Sequence, residues 1–196
     1  MMDEDLTKRI AERVKQALGE KSAVRLESKV PRAEERLPRG KPPPLKVAIG
    51  SDQRGFTLKC QLAEYLGELG HSVVDCGMTE GQPRDYPEIA LAVSEKVARG
   101  VCDRGVLIDM VGVGSAIAAN KIKGIRAGAC YDVEAARSSR LHNDANVLVL
   151  GSSFVNRGLA RRMVRIWLET PFEGGRHQKR VDMISKLEIE GLDTRF

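Results

Sequence analysis

The amino-acid sequence predicts an α/β protein: a parallel five-stranded sheet with helices on both faces. From Leu45 onward, short and almost wholly apolar runs alternate with longer segments of helical spacing. Strands that are apolar on both faces belong to a sheet covered on both sides. Glycines stand where helices should stop, at Gly70 and Gly100.

Taken in order, "LKVAIGSD" reads as the first strand and "TLKCQLAEYLGELG" as a helix closed by Gly70. "HSVVDCG" is the second strand and "YPEIALAVSEKVARG" the helix after it. "DRGVLID" and "SAIAANKIKG" form the third strand and helix, and "IRAGAC" and "VEAARSSRLH" the fourth pair. "ANVLVLG" is the fifth strand, followed by the long helix "RGLARRMVRIWLET". This is a Rossmann-like arrangement, in which ligands bind beyond the carboxyl ends of the strands. Strand-end residues are therefore the candidates for chemistry.

Two pieces precede this domain, which spans 45–196. Residues 1–19 place Leu6, Ile10, Val14, Ala17 and Leu18 on one helical stripe, with acids at the front and Gly19 behind. This is an amphipathic helix that folds back, pairs with another helix, or docks on a partner protein. Its balanced polar face argues against a membrane surface. Residues 20–44 contain Pro31, Pro38, Pro42, Pro43 and Pro44 among mixed charges, and read as a semi-extended tether.

Composition narrows the classes. The chain of 196 residues carries a net charge of +5 and a pI near 9.1, with 42% hydrophobic and 4% aromatic residues. So few aromatics make nucleic-acid binding by base stacking a poor reading, whereas a basic excess suits phosphorylated metabolites. Cys60, Cys76, Cys102 and Cys130 show no metal-ligand spacing and read as reduced core thiols of a cytoplasmic protein. No apolar run approaches the ~18 residues of a membrane span, and the N-terminus lacks the apolar stretch of a secretory signal.

At the strand ends, "GSDQRGF" offers Asp52 and Gln53. The third strand ends in Asp109 and runs into "MVGVGS", where Gly112 and Gly114 let backbone N–H groups face an incoming anion. The loop is neither a Walker loop nor a dinucleotide fingerprint. His142 and Asn143 stand in the approach to the fifth strand. In "FEGGRHQKRVDMI", Arg176 and Arg180 lie at helical i, i+4 spacing behind two glycines, a clamp suited to a phosphate dianion.

Together the stretches "IGSDxxGF", "DYP", "GxGxSxAANKxxGIRA", "HNDANVLxLG" and "EGGRHQxRV" resemble the ribose-5-phosphate isomerase B and galactose-6-phosphate isomerase family, from Val47 to about Leu187. The resemblance implies metal-independent and cofactor-free aldose–ketose isomerisation of a phosphorylated sugar, by ring opening and proton transfer through an enediolate. It implies homodimers or dimers of dimers with each site built from two subunits. It would place Asp52 and Tyr86 around the sugar, beside the strand-end Gln53, and the Gly112–Gly114 amides on the enediolate. His142 and Asn143 would lie near the ring oxygen or the hydroxyls, and Arg176 and Arg180 on the phosphate.

The chain also departs from that pattern. Many ribose-type members carry His where this chain has Gln53, and a cysteine base where it has Asp109. They carry Gly-Thr in place of Met110-Val111, and Arg in place of Ser153. The stretch "VLIDMVGVGS" is nearest to the A subunit of galactose-6-phosphate isomerase. Two readings of Asp109 follow. Either it is the base, its pKa lifted from ~4 by apolar neighbours, or it is a structural or sugar-binding acceptor, with catalysis residing elsewhere or lost, as in a weak or inactive subunit that completes a partner's site. The N-terminal helix resembles the peptides that send enzymes into bacterial microcompartments, which implies a shell protein as its partner. Nucleotide binding is disfavoured, because no acidic residue follows a proper glycine fingerprint.

Overall fold

The computed structural model describes residues 43–77 and 84–190, and backbone alone for the last two of these. The chain divides into two compact units, Met1–Arg36 and Leu37–Phe196. The described residues fall in the second, so the helix expected over 1–19 and all but the end of the 20–44 tether lie outside them.

Five strands form one sheet: β1 (Lys46–Ser51), β2 (Ser72–Asp75), β3 (Arg104–Asp109), β4 (Ala127–Cys130) and β5 (Val147–Gly151). Every pairing is parallel and the spatial order is β2-β1-β3-β5-β4. Val106, Leu107 and Ile108 of β3 and Val147 to Leu150 of β5 are at most 1% exposed. Such burial is worth about 1.5–3 kcal/mol for each large apolar side chain, which is why the central strands are uninterrupted apolar runs.

Among the described residues there are six helices: α1 (Phe56–Glu68), α2 (Tyr86–Ala98), α3 (Val113–Ala119), α4 (Val133–Asn143), α5 (Arg157–Glu169) and α6 (Arg176–Glu190). α1 packs on α5, α5 on α4 and α4 on α6, while α2 and α3 pack against each other. The strongly amphipathic α5 carries the fully buried Trp167, and the Asn156 side chain accepts from Leu159 N at its start.

Two boundaries differ from the sequence expectation. The third helix was expected over "SAIAANKIKG" but runs from Val113 to Ala119. Gly112 adopts φ 93°, open to glycine, and starts the helix early. Asn120 ends it, its amide bonding both Ala127 N and Ala127 O across the turn. Second, α4 runs one residue past the expected "VEAARSSRLH", so that Asn143 joins His142 in its last turn. The chain leaves that helix at Asp144, left-handed at φ 47° and held by Arg126 and Arg140, each at 2.7 Å.

Parallel connectivity fixes where side chains stand. Residues that follow a strand lie at the carboxyl edge of the sheet, and residues that precede one lie at the amino edge. Asp52 and Asp109 are therefore at the carboxyl edge, at the switch between β1 and β3. α4 returns from the end of β4 to the start of β5, so its C-terminal His142 lies at the amino edge. α5 makes the same return journey, and α6 begins where it ends.

Candidate active site

The carboxyl-edge half is organised by Asp109, which is 6% exposed. Its Oδ1 accepts from Val111 N at 2.8 Å and from Gly112 N. Its Oδ2 accepts from Ser115 N at 3.1 Å and from Ser115 Oγ at 2.5 Å. A carboxylate has about four lone-pair positions, and four donors occupy them. The Gly112 N–H expected to face an incoming anion is thus directed at the chain's own acid. Aspartate binds backbone a few residues ahead wherever a turn permits, and the left-handed Gly112 permits it here. Gly114 serves a second purpose. The Tyr86 ring lies so close that a Cβ at Gly114 would stand 2.8 Å from a ring carbon.

Asp52 has a different environment. Oδ1 accepts from Gly55 N at 3.0 Å, and the side chain is half-buried. Ser51 pairs with Ile108 across the β1–β3 ladder, so Asp52 and Asp109 are the next pair outward. Burial, and then the charge of Asp109, lift the Asp52 pKa above 3.8. The N–H groups of Gly55 and Arg54 and the Arg54 guanidinium pull the other way. Gln53, next in the chain, is exposed, as is Tyr86, whose ring lies against Gly114.

The amino-edge half gathers His142, Asn143, Arg176 and Arg180, with two residues the sequence reading did not single out, Glu173 and His177. Glu173 N donates to Leu141 O and ties the loop before α6 to α4. The His142 and His177 rings stack with centroids 4.3 Å apart. Glu173 Oε2 lies 3.6 Å from His142 Nε2 and 3.8 Å from His177 Nε2. Ser138 Oγ meets His142 Nδ1 at 3.1 Å and orients the ring. Burial, then the neighbouring His142 and Arg176, lower the pKa of His177 below 6.5. Arg176 and Arg180 occupy the first two turns of α6, both exposed, while Asn143 is exposed at the end of α4. The Glu173–His177 i, i+4 spacing was the available signal for this pair.

His142, Glu173 and His177 bring ligand atoms within 4.8 Å of one another. With rings stacked at 19°, an ion in the plane of one imidazole would stand above the plane of the other. As placed, they do not converge on one metal. The cysteines offer no base either. Cys76 and Cys130 are pushed up to about 11 by burial, Cys102 is raised by the same cause, and the exposed Cys60 faces out from α1.

Two clefts flank these clusters. One, of about 400 Å³, opens at the carboxyl edge between Arg54, Met110, Ser152, Ser153 and Arg157. Its two guanidiniums form no ion pair among the described residues, so it suits an anion. The other, of about 590 Å³, is largely apolar, and Asn143, Ile184 and Leu187 line it.

A parallel sheet with an acid pair at its switch point and a basic cluster at the opposite edge defines an α/β enzyme for anionic small molecules. Comparison makes this specific. The family model described as Ribose/Galactose Isomerase matches residues 47–184, and the chain belongs to that family. It is 46% identical over 143 residues to ribose-5-phosphate isomerase B of Escherichia coli, across 73% of this chain and 96% of that protein. To the putative sugar phosphate isomerase YwlF of Bacillus subtilis it is 44% identical over 149 residues, 76% of this chain and 100% of the relative. A galactose-6-phosphate isomerase subunit LacA 2 of Streptococcus pyogenes is 38% identical over 143 residues, 73% of this chain and 99% of that subunit. The solved structure of ribose-5-phosphate isomerase B from Clostridium thermocellum superposes with a TM-score of 0.72 at 46% identity, covering 74% of this chain and 98% of that one. Like these relatives, the protein is a sugar-phosphate isomerase.

Proposed function

We propose that the chain interconverts the aldose and ketose forms of a phosphorylated sugar of the ribose-5-phosphate type through an enediolate, without a metal ion. In each site, Asp52, Gln53, Tyr86 and the Asp109-anchored loop bearing Gly112 and Gly114 receive the sugar. His142 and Asn143 of a second copy reach its ring oxygen and hydroxyls, and Arg176 and Arg180 of that copy hold the phosphate. One observation carries this reading: within a single chain the acid half and the basic half stand at opposite edges of the sheet. α4, which separates them, has 11 residues and so spans about 16 Å at 1.5 Å per residue. A phosphosugar meets both halves only between two copies. An apolar surface suited to a second copy exists on α2 and α3, where Tyr86, Val113 and Ile117 are 42%, 47% and 58% exposed.

The purified chain is expected to convert at least one member of a panel of phosphorylated pentoses and hexoses. Arg176→Ala should raise KM tenfold or more, since one charged hydrogen bond is worth about 1.5–3 kcal/mol. A panel without turnover would sink the reading. The saturated carboxylate of Asp109 favours a second reading, a sugar-phosphate-binding subunit that completes a partner's site. Its mark would be activity only after mixing with a cysteine-bearing relative.

The family model begins at residue 47, leaving residues 1–44 outside it. We propose that residues 1–19 dock on a microcompartment shell protein through their apolar stripe, with 20–44 as the tether. A fluorescent protein fused to residues 1–45 should concentrate in co-expressed shells, and a diffuse signal beside assembled shells would remove the proposal.

A further inference from the structure

We propose that Asp52, rather than Asp109, is the group that carries the proton between C1 and C2 of the substrate. This rests on the isomerase reading above and assigns its base. The two acids are neighbours at the ends of β1 and β3, and their surroundings divide the work. Asp109 is buried, with both oxygens engaged by Val111, Gly112 and Ser115. To accept a carbon-bound proton it would have to release donors that hold the loop. Asp52 is partly open, and only turn N–H groups bear on it as donors, Gly55 N at 3.0 Å and Arg54 N. None of the four cysteines replaces it, because three are buried and Cys60 lies on the outer side of α1.

The groups that bear on the Asp52 charge are Asp109 from β3 and Arg54 from its own turn. Burial and Asp109 outweigh Arg54 and the turn N–H groups, so the carboxyl holds its proton more firmly than an ordinary aspartate. This moves it toward the range in which a base works near neutral pH. Paired acids that differ in this way commonly divide the roles of base and fixed partner.

In the step itself, the Asp52 carboxylate takes the proton from C2 of the open-chain aldose. The C2–H electron pair becomes the C1=C2 double bond, and the carbonyl pair moves to O1. The O2 proton passes to O1, and the Asp52 carboxylic acid returns its proton to C1. The O2 pair then forms the C2 carbonyl of the ketose, and Asp52 is again a carboxylate.

Asp52→Asn keeps an oxygen for Gly55 N and is expected to fold. Its kcat on ribose 5-phosphate should fall 10²–10⁴-fold, further than that of Asp109→Asn, which loosens the loop but leaves the base in place. In the wild type, kcat/KM should rise with pH through a step above 3.8, absent in Asp52→Asn and moved to lower pH in Asp109→Asn, where the charge that raises it is gone. Formate should partly restore Asp52→Ala. A wild type active on ribose 5-phosphate whose Asp52→Asn variant keeps kcat within threefold overturns this assignment alone. So does loss of the pH step in Asp109→Asn instead. A wild type inactive on the whole panel overturns the isomerase reading and this one with it.

Discussion

Asp109→Ala is expected to destabilise the protein by about 3–5 kcal/mol, because several hydrogen bonds to a charged group, each worth about 1.5–3 kcal/mol, are lost together and not additively. The substitution removes an acceptor from four donors at once: Val111 N, Gly112 N, Ser115 N and Ser115 Oγ. A buried donor left unpaired costs about 1–3 kcal/mol, reduced where water enters. For a domain of this size the change corresponds to a fall in Tm on the order of 10 °C. Asp109→Asn should fall between the two, since its oxygen still serves one pair of donors while its NH2 meets the other. Denaturant unfolding of the three proteins checks the order. Equal stability of wild type and Asp109→Ala would show that the acid does not hold the loop.

The same residue shows where the sequence was readable and where it was not. Strands β1 to β5 could be read because each is an apolar run bounded by glycine or charge, and the central ones are almost fully buried. Asp109 could be read as a strand-end acid, and its position at the ligand edge followed from parallel topology. Its partners could not be read as readily, because they depend on the φ of 93° at Gly112, which turns two amides and Ser115 back toward the carboxylate. An aspartate three residues ahead of a glycine and six ahead of a serine permits this arrangement without requiring it. The ring of Tyr86 on Gly114 is a tertiary contact between α2 and α3 with no local signal.

The amino-edge cluster was half legible. His142, Arg176 and Arg180 were found by type and spacing, but the carboxylate between the histidines was overlooked, although Glu173 and His177 are four residues apart. The separation of the two halves was also implicit in the chain order. Two returning helices, α4 and α5, each end at the amino edge, and the following α6 starts there.

That separation yields the sharpest expected result. Asp52→Asn impairs the carboxyl-edge half, and Arg176→Ala with Arg180→Ala impairs the amino-edge half. Each variant alone should lose at least 10²-fold in kcat/KM, as general-base removal or loss of charged phosphate contacts implies. In a dimer with sites between subunits, a mixed pair places both damaged halves in one site and leaves the other site intact. Random exchange makes half of the dimers mixed, so about one quarter of all sites regain full activity. Unfolding and refolding the two variants together, or co-expressing them, should therefore restore roughly a quarter of wild-type turnover from two nearly inactive proteins. If each site were built within one chain, every chain in the mixture would still carry a damaged site and activity would stay at the level of the separate variants. Recovery therefore tests the proposed geometry directly: it requires the acid at one edge of the sheet and the arginines at the opposite edge to serve one site from two copies.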